Sequence, residues 1–189
     1  MSFGGDAAPI LDAAVDRLTQ ENVVVIAAAG NAGTDACAFS PARSRSAVTV
    51  GASTTDDAVA SFSNVGACVS LFAPGTTVAG ASFASDTGTR TLSGTSMAAP
   101  FAAGAAALVL EGLPSLTPAQ VKSTLLCGAT VGGVRGVPLD TPSLLLFTNP
   151  DGWDTQVACG ISAAASSGPA LAAAVCAIIA ALACAWVGN

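Results

Sequence analysis

Positions 23–28 hold six consecutive apolar residues, and this run narrows the range of folds open to the chain more than any other part of it. Three valines, an isoleucine and two alanines leave neither face polar, which predicts a short strand buried on both sides. The preceding Pro9–Gln20 segment has its apolar residues on one helical face and starts with proline, which suits a first helical turn. A helix leading into a fully buried strand is typical of α/β units, so we predict a parallel sheet flanked by helices.

The rest of the first 147 residues continues this pattern. Residues 47–51 and 68–72 are short apolar runs between turn-rich segments and are predicted to be further strands. Residues 96–110 are small and apolar all round, which predicts a buried central helix. Residues 117–120 form a capping box with proline at the first helical position, so another helix should begin there. The apolar residues 144–147 are expected to end the globular part.

The composition changes beyond residue 147. Residues 149–152 are typical of a linker, and no charged residue follows Asp154. Residues 169–187 would form a hydrophobic helix of roughly 28 Å, close to the thickness of a bilayer core. We therefore predict a globular domain over 1–147, a linker over 148–168 and a C-terminal hydrophobic helix over 169–189. This tail fits a GPI-attachment signal, a tail-anchored transmembrane helix or a harmless extension, and the sequence leaves these open.

Charge and residue counts exclude several classes of function. The net charge is −6 and the six basic residues are scattered singly, so no surface suited to nucleic acid is expected. None of the six cysteines is spaced as in a zinc motif, and no metal or other cofactor is predicted. The chain has no histidine, the commonest general base in enzymes.

Two segments carry residues suited to acyl-transfer chemistry. Ser96 precedes a long apolar helix, where unpaired N–H groups and the helix dipole favour a developing negative charge. Gly94 just before it permits close approach of a substrate backbone. Asn31 follows Gly30 at the end of the first predicted strand. Taken alone, the two segments favour a helix cap at Ser96 and a turn residue at Asn31 over catalytic roles.

Seven motifs taken together resemble the subtilase family, most closely the branch that contains proteinase K and aqualysin. In chain order they are MSFGG (1–5), AAGN (28–31), FSPA (39–42), TVGA (49–52), SFSN (61–64), LFAPG (71–75) and GTSMA (94–98). The resemblance identifies residues 1–147 as the C-terminal part of a subtilisin-like peptidase domain. It implies a partial subtilisin-like α/β fold and serine endopeptidase activity on protein or peptide substrates.

The resemblance also implies roles for individual residues. Ser96 matches the nucleophile that forms an acyl-enzyme, and the Asn31 side chain matches an oxyanion-hole donor beside the Ser96 N–H. The remaining matches are to substrate-binding positions. They comprise an edge strand that pairs with the substrate backbone (Ser2, Phe3, Gly4, Gly5), the wall of the primary specificity pocket (Ala28, Ala29, Gly30) and Thr95 of the serine motif.

In this family the catalytic Asp and His lie upstream of the segments matched here. We therefore expect the chain to be a fragment that is inactive alone. The alternative is a non-catalytic pseudo-protease or protein-binding module anchored at the membrane.

Two positions depart from the family pattern. Phe101 replaces a histidine that is not the catalytic base. Ser70 replaces an aspartate that helps to hold a structural calcium, so we predict no calcium site.

The resemblance finally implies a disulfide between Cys37 and Cys68, which matches a bridge of the aqualysin branch. A disulfide requires an oxidising compartment. We therefore expect a protein that is extracellular or at the cell surface. We also expect a monomer, and membrane attachment through the tail is one of the alternatives left open above.

Overall fold

The computed structural model describes residues 1–148, in which thirteen short elements follow one another. The helices are α1 (Pro9–Gln20), α2 (Thr95–Gly112) and α3 (Pro118–Gly128), with a single 3₁₀ turn at Ala36–Ala38. The strands are β1 (Gly5–Asp6), β2 (Ile26–Ala28), β3 (Phe39–Ser40), β4 (Val48–Ser53), β5 (Leu71–Pro74), β6 (Val78–Ala81), β7 (Thr89–Leu92), β8 (Thr130–Val131) and β9 (Leu144–Leu145).

A five-stranded sheet forms the centre, in the order β2-β4-β5-β9-β8. The first four strands are parallel neighbours, and β8 runs antiparallel to β9. All six residues of β4 are buried, as expected for a central strand of a parallel sheet. Two small antiparallel pairs, β1–β3 and β6–β7, lie outside this sheet. The predicted parallel sheet flanked by helices is therefore confirmed.

Helix α2 packs on β2, β4 and β5 through its small side chains. Ala98, Ala102, Ala105 and Val109 are fully buried or nearly so, and β-methyl groups let the helix axis approach the sheet closely. By length and composition alone α2 is apolar enough to span a bilayer. Its packing against three strands makes it the core helix of the described domain.

The prediction that this helix is buried all round is wrong for its outer face. Phe101 and Leu108 are 44% and 47% exposed, and Gly104 is exposed between them. The reason is that no element within residues 1–148 lies over this side of α2.

Other predictions differ from the structure mainly in strand length. Helix α1 covers the predicted residues, and α3 begins with the predicted capping box between Thr117 and Gln120. The first strand is shorter than predicted, because β2 begins only at Ile26. The strand predicted over residues 68–72 begins later, because β5 starts at Leu71. The predicted tail over 169–189 and the predicted linker, apart from residue 148, lie outside the described residues.

The predicted disulfide between Cys37 and Cys68 is present, with a Cα–Cα distance of 5.3 Å. It joins the loop after β2 to the segment before β5. Cys68 packs against a buried apolar cluster that includes Val69 and Phe72. The bridge therefore fixes a long loop to the side of the sheet that carries the Asn31 segment.

Replacing both bridge cysteines by serine should lower the free energy of unfolding by about 3–4 kcal/mol, because the bridge closes a loop of roughly 30 residues in the unfolded chain. Urea denaturation of the oxidised wild type and the double variant measures this loss. Reduced wild type serves as the control and should match the variant. Equal stability of oxidised and reduced wild type would contradict the prediction.

Candidate active site

All ten residues predicted from the sequence to bind or transform a substrate line one cavity of about 370 Å³. It lies where the N-terminus of α2 meets the C-terminal ends of β2 and β5. The Gly30 N–H donates to Thr95 Oγ1 at 3.1 Å, and the Gly94 N–H donates to the Gly75 carbonyl at 2.7 Å. The cavity is lined by Ser2, Phe3, Gly4, Gly5, Ala28, Ala29, Gly30, Asn31, Thr95 and Ser96, and also by Ala32, Phe39, Ser40, Ala42 and Asn64.

Ser96 is the second residue of α2 and is half-buried. Its Oγ donates to the Ser2 carbonyl at 3.1 Å, and the Ser2 Oγ donates to the Ser96 carbonyl at 3.0 Å. This reciprocal pair holds the first residues of the chain against the start of the helix. As a residue of the first helical turn, Ser96 also has an N–H with no acceptor inside the helix.

The Asn31 side chain is oriented by the residue before the serine. Its Oδ1 accepts hydrogen bonds from the Thr95 N–H at 2.8 Å and from Thr95 Oγ1 at 2.9 Å. Because the oxygen is held by Thr95, the amide nitrogen is free to face the cavity. Thr95 is fully buried, so this orientation is fixed by the core.

Gly94 leaves an empty space between the two nitrogen donors. A β carbon built on it would lie 3.3 Å from Asn31 Nδ2 and 3.7 Å from the Ser96 backbone nitrogen. The φ of Gly94 is 154°, which residues with a side chain rarely adopt. Two nitrogen atoms that carry N–H groups therefore border the space that the absent side chain of Gly94 leaves.

Sequence reasoning assigned no role to Asn64, which holds the Asn31 loop in place. Asn64 is fully buried; its amide nitrogen donates to the Ala29 carbonyl at 2.9 Å, and its Oδ1 accepts from the N–H groups of Ala32 at 3.0 Å and Thr34 at 3.1 Å. A β carbon on Gly30 would collide with the Asn64 amide, and Gly30 has a φ of +101°. In the sequence, the one indication of a role for Asn64 is that it is the last residue of the SFSN motif.

The segment predicted as a substrate-pairing edge strand is only partly a strand. Gly5 belongs to β1, which pairs antiparallel with β3 (Gly5↔Ser40), whereas Ser2, Phe3 and Gly4 have no regular pairing. Phe3 is 47% exposed. The backbone of residues 2–4 borders the cavity. Its pairing with a bound substrate stays a prediction.

The opposite wall of the cavity is made of small residues. Ala28 and Ala29 are buried at the end of β2, and the Ala29 N–H donates to the Val50 carbonyl at 2.9 Å. Short side chains here keep the cavity open. Within residues 1–148 the only acceptor bound to Ser96 Oγ is the Ser2 carbonyl, and the chain has no histidine that would take its proton.

Replacing Asn64 by alanine should lower the free energy of unfolding by about 3 kcal/mol, because it leaves three backbone groups without their partner. Amide exchange at Ala32 and Thr34 should also accelerate. Ser61→Ala, an exposed change in the same segment, is the matched control and should alter stability by no more than about 0.5 kcal/mol. Equal stability of the two variants would show that Asn64 does not hold the loop.

Comparison with known proteins gives a consistent result. The sequence model of the subtilase family (peptidase S8) matches residues 1–141. The chain is 51% identical over 148 residues to the extracellular serine proteinase of Thermus sp. (strain Rt41A), covering 78% of this chain and 36% of that protein. It is 46% identical over 151 residues to the subtilase-type proteinase psp3 of Schizosaccharomyces pombe, covering 79% and 34%.

A solved structure gives the same answer for the fold. A cold-adapted subtilisin-like serine proteinase superposes with a TM-score of 0.76 at 45% sequence identity, covering 79% of this chain and 54% of that one. The chain thus spans about a third of the length of these two curated relatives and about half of the solved one. On the match over residues 1–141 and these identities, the chain belongs to the subtilase family of subtilisin-like serine proteases.

Proposed function

We propose that residues 1–148 supply the nucleophile, the oxyanion hole and the substrate cleft of a serine endopeptidase. The observation that carries this proposal is that Asn31 Nδ2 and the Ser96 backbone nitrogen both lie within 4 Å of the space left by Gly94, and that Asn31 and Ser96 line the same cavity. Gly94, not Ser96, is the N-cap residue of α2, so a capping role does not account for this arrangement.

In the proposed reaction Ser96 Oγ attacks the carbonyl carbon of the scissile peptide bond while a base takes its proton. The carbonyl oxygen becomes an oxyanion and accepts hydrogen bonds from Asn31 and the Ser96 N–H. The tetrahedral intermediate then breaks its C–N bond, the base returns the proton to the departing amine, and an ester on Ser96 remains. Water attacks this ester by the same steps and releases the acid, with Ser96 regenerated.

The cleft supports polypeptide as the substrate. Its Ser2–Gly5 side offers backbone groups that a bound peptide can pair with, as in strand addition. The small residues Ala28, Ala29 and Gly30 leave room for a large apolar side chain next to Ser96. This arrangement favours peptide bonds that follow bulky apolar residues.

An extracellular site of action is supported by two observations. The Cys37–Cys68 disulfide is suited to an oxidising environment, and the relative from Thermus is named an extracellular proteinase. Attachment to the membrane through residues 169–189 stays a prediction, because that segment lies outside the described residues.

We expect the purified 189-residue chain to hydrolyse a fluorogenic peptide no faster than its Ser96→Ala variant. The physical reason is that a serine hydroxyl without a base keeps its proton, and the oxyanion hole alone gives only residual catalysis. Robust turnover by the wild-type chain, lost in Ser96→Ala, would contradict this.

The proposed chemistry is tested in a single-chain chimera that joins residues 1–148 to the preceding part of the Thermus proteinase catalytic domain. We expect peptidase activity that Ser96→Ala abolishes. Asn31→Ala should lower kcat by roughly 10²–10³-fold with little change in KM, the loss known for an equivalent donor in a subtilisin. A folded chimera without activity, or one indifferent to Asn31→Ala, would overturn the proposal.

A further inference from the structure

Residues 41–47 connect β3 to β4, and we call them the cleft loop. The loop begins in a wall of the substrate cavity, because Phe39, Ser40 and Ala42 line that cavity. It ends at β4, where the Thr49 hydroxyl donates to the Ala42 carbonyl at 2.7 Å. The two ends of the loop are thus tied together next to the cavity.

The cleft loop is folded into two linked turns. The Ser44 N–H donates to the Pro41 carbonyl at 3.0 Å, and the Ala47 N–H donates to the Ser44 carbonyl at 3.3 Å. The Arg43 N–H donates to the Phe39 carbonyl at 2.8 Å, which joins the first turn to the cavity wall. A displacement in the middle of the loop is therefore passed on to Phe39 and Pro41.

The side chain of Lys122 reaches the cleft loop from α3. Its Nζ donates to the Arg45 carbonyl at 2.9 Å and to the Ala47 carbonyl at 2.6 Å. Burial lowers the pKa of Lys122, because it removes water from the ammonium group. The two carbonyls take the place of that water, and hydrogen bonds from a charged donor are among the stronger ones in proteins.

Helix α1 holds the other side of the cleft loop through contacts that are open to water. The Arg43 guanidinium lies 3.1 Å from the Asp12 carboxylate, and 40% of the Arg43 side chain is exposed. The Ser46 hydroxyl donates to Asp16 at 2.7 Å, again in an exposed position. Exposed ion pairs contribute little to stability because water screens them. The Lys122 ammonium is therefore the anchor of the loop that competes least with water.

We propose that Lys122 is a positioning residue for substrate binding, because its ammonium fixes the cleft loop and with it the Phe39–Ala42 wall of the cavity. This rests on the proposed function, in which the cavity receives the large apolar side chain that precedes the scissile bond. Without the ammonium, a peptide with a large residue there binds more weakly. A peptide with a small residue, which does not reach the wall, binds as before.

The first experiment measures amide exchange by NMR in the full 189-residue chain. Lys122→Met keeps most of the side-chain length and removes the charge and the donors. Arg45→Met removes the same charge from an exposed side chain of the same loop and is the matched control. We expect exchange at Arg43 and Ser44, whose N–H groups close the turns, to accelerate roughly tenfold in Lys122→Met and to stay unchanged in the control.

A chemical rescue separates the effect of the ammonium from that of the rest of the side chain. Lys122→Ala leaves the loop carbonyls without their donor, and n-propylammonium chloride supplies an ammonium on a carbon chain of matching length. We expect this salt to slow exchange at Arg43 and Ser44 towards the wild-type rate. At equal ionic strength 1-propanol, which has a similar shape and no charge, should have no effect.

The second experiment measures peptide binding, which needs neither Ser96 nor a base. Succinyl-Ala-Ala-Pro-Phe and succinyl-Ala-Ala-Pro-Ala are titrated into the 189-residue chain and its variants and followed by NMR. We expect Lys122→Met to raise the Kd of the phenylalanine peptide roughly fivefold and to leave that of the alanine peptide within about twofold. Arg45→Met should change neither value.

Several results would overturn the proposal. Exchange could respond equally to the two methionine variants, or propylammonium could act no better than propanol. The Kd of the phenylalanine peptide could stay unchanged in Lys122→Met, both peptides could lose affinity equally, or the wild-type chain could bind neither peptide. Binding of the phenylalanine peptide that depends on Lys122, together with a chimera that hydrolyses no peptide, would support the positioning role and count against the proposed function of Ser96.

Discussion

Helix α2 packs on β2, β4 and β5 through alanine side chains, and this contact determines where the candidate site lies. With the helix so close to the sheet, its first turn meets the ends of β2 and β5, where Gly30 and Gly75 bond to it. In parallel α/β sheets, ligands bind in the crevice at the carboxyl ends of the strands. The small side chains of the core therefore deliver the serine, the helix dipole and the Asn31 loop to one place.

Buried polar groups then set the orientation of the Asn31 side chain and its loop, which apolar packing alone does not determine. Thr95 and Asn64 are both fully buried, and each has its side-chain polar atoms hydrogen-bonded. Thr95 fixes the direction of the Asn31 amide, and Asn64 fixes the loop that carries it. A satisfied buried network of this kind tolerates few alternative arrangements. The Asn31 amide is consequently held in place by the fold itself, as the proposed oxyanion hole requires.

The sequence predicted those elements whose signals are local. Helices α1 and α3 follow from apolar spacing and from the proline and capping residues at their starts. The strand at 23–28 was predicted too long, because the neighbouring strand β4 begins only at Val48, which pairs with Ile26. Ser96 and Asn31 were found only through motifs, since each alone resembles a cap or a turn. The role of Asn64 depends on backbone groups about 30 residues away, and no spacing rule indicates such a contact.

The hydroxyl of Ser96 can change its hydrogen-bond partner without displacing the residues around it. It has one proton, and it donates that proton to the Ser2 carbonyl at 3.1 Å, which is long for an O–H···O bond. A long bond is weak, so a base that takes the proton competes with the Ser2 carbonyl at small cost. The Ser2 Oγ bond to the Ser96 carbonyl is independent of that proton and keeps the cleft in place. The hydroxyl can thus turn towards a base while the proposed oxyanion donors and the backbone of residues 2–5 stay where they are.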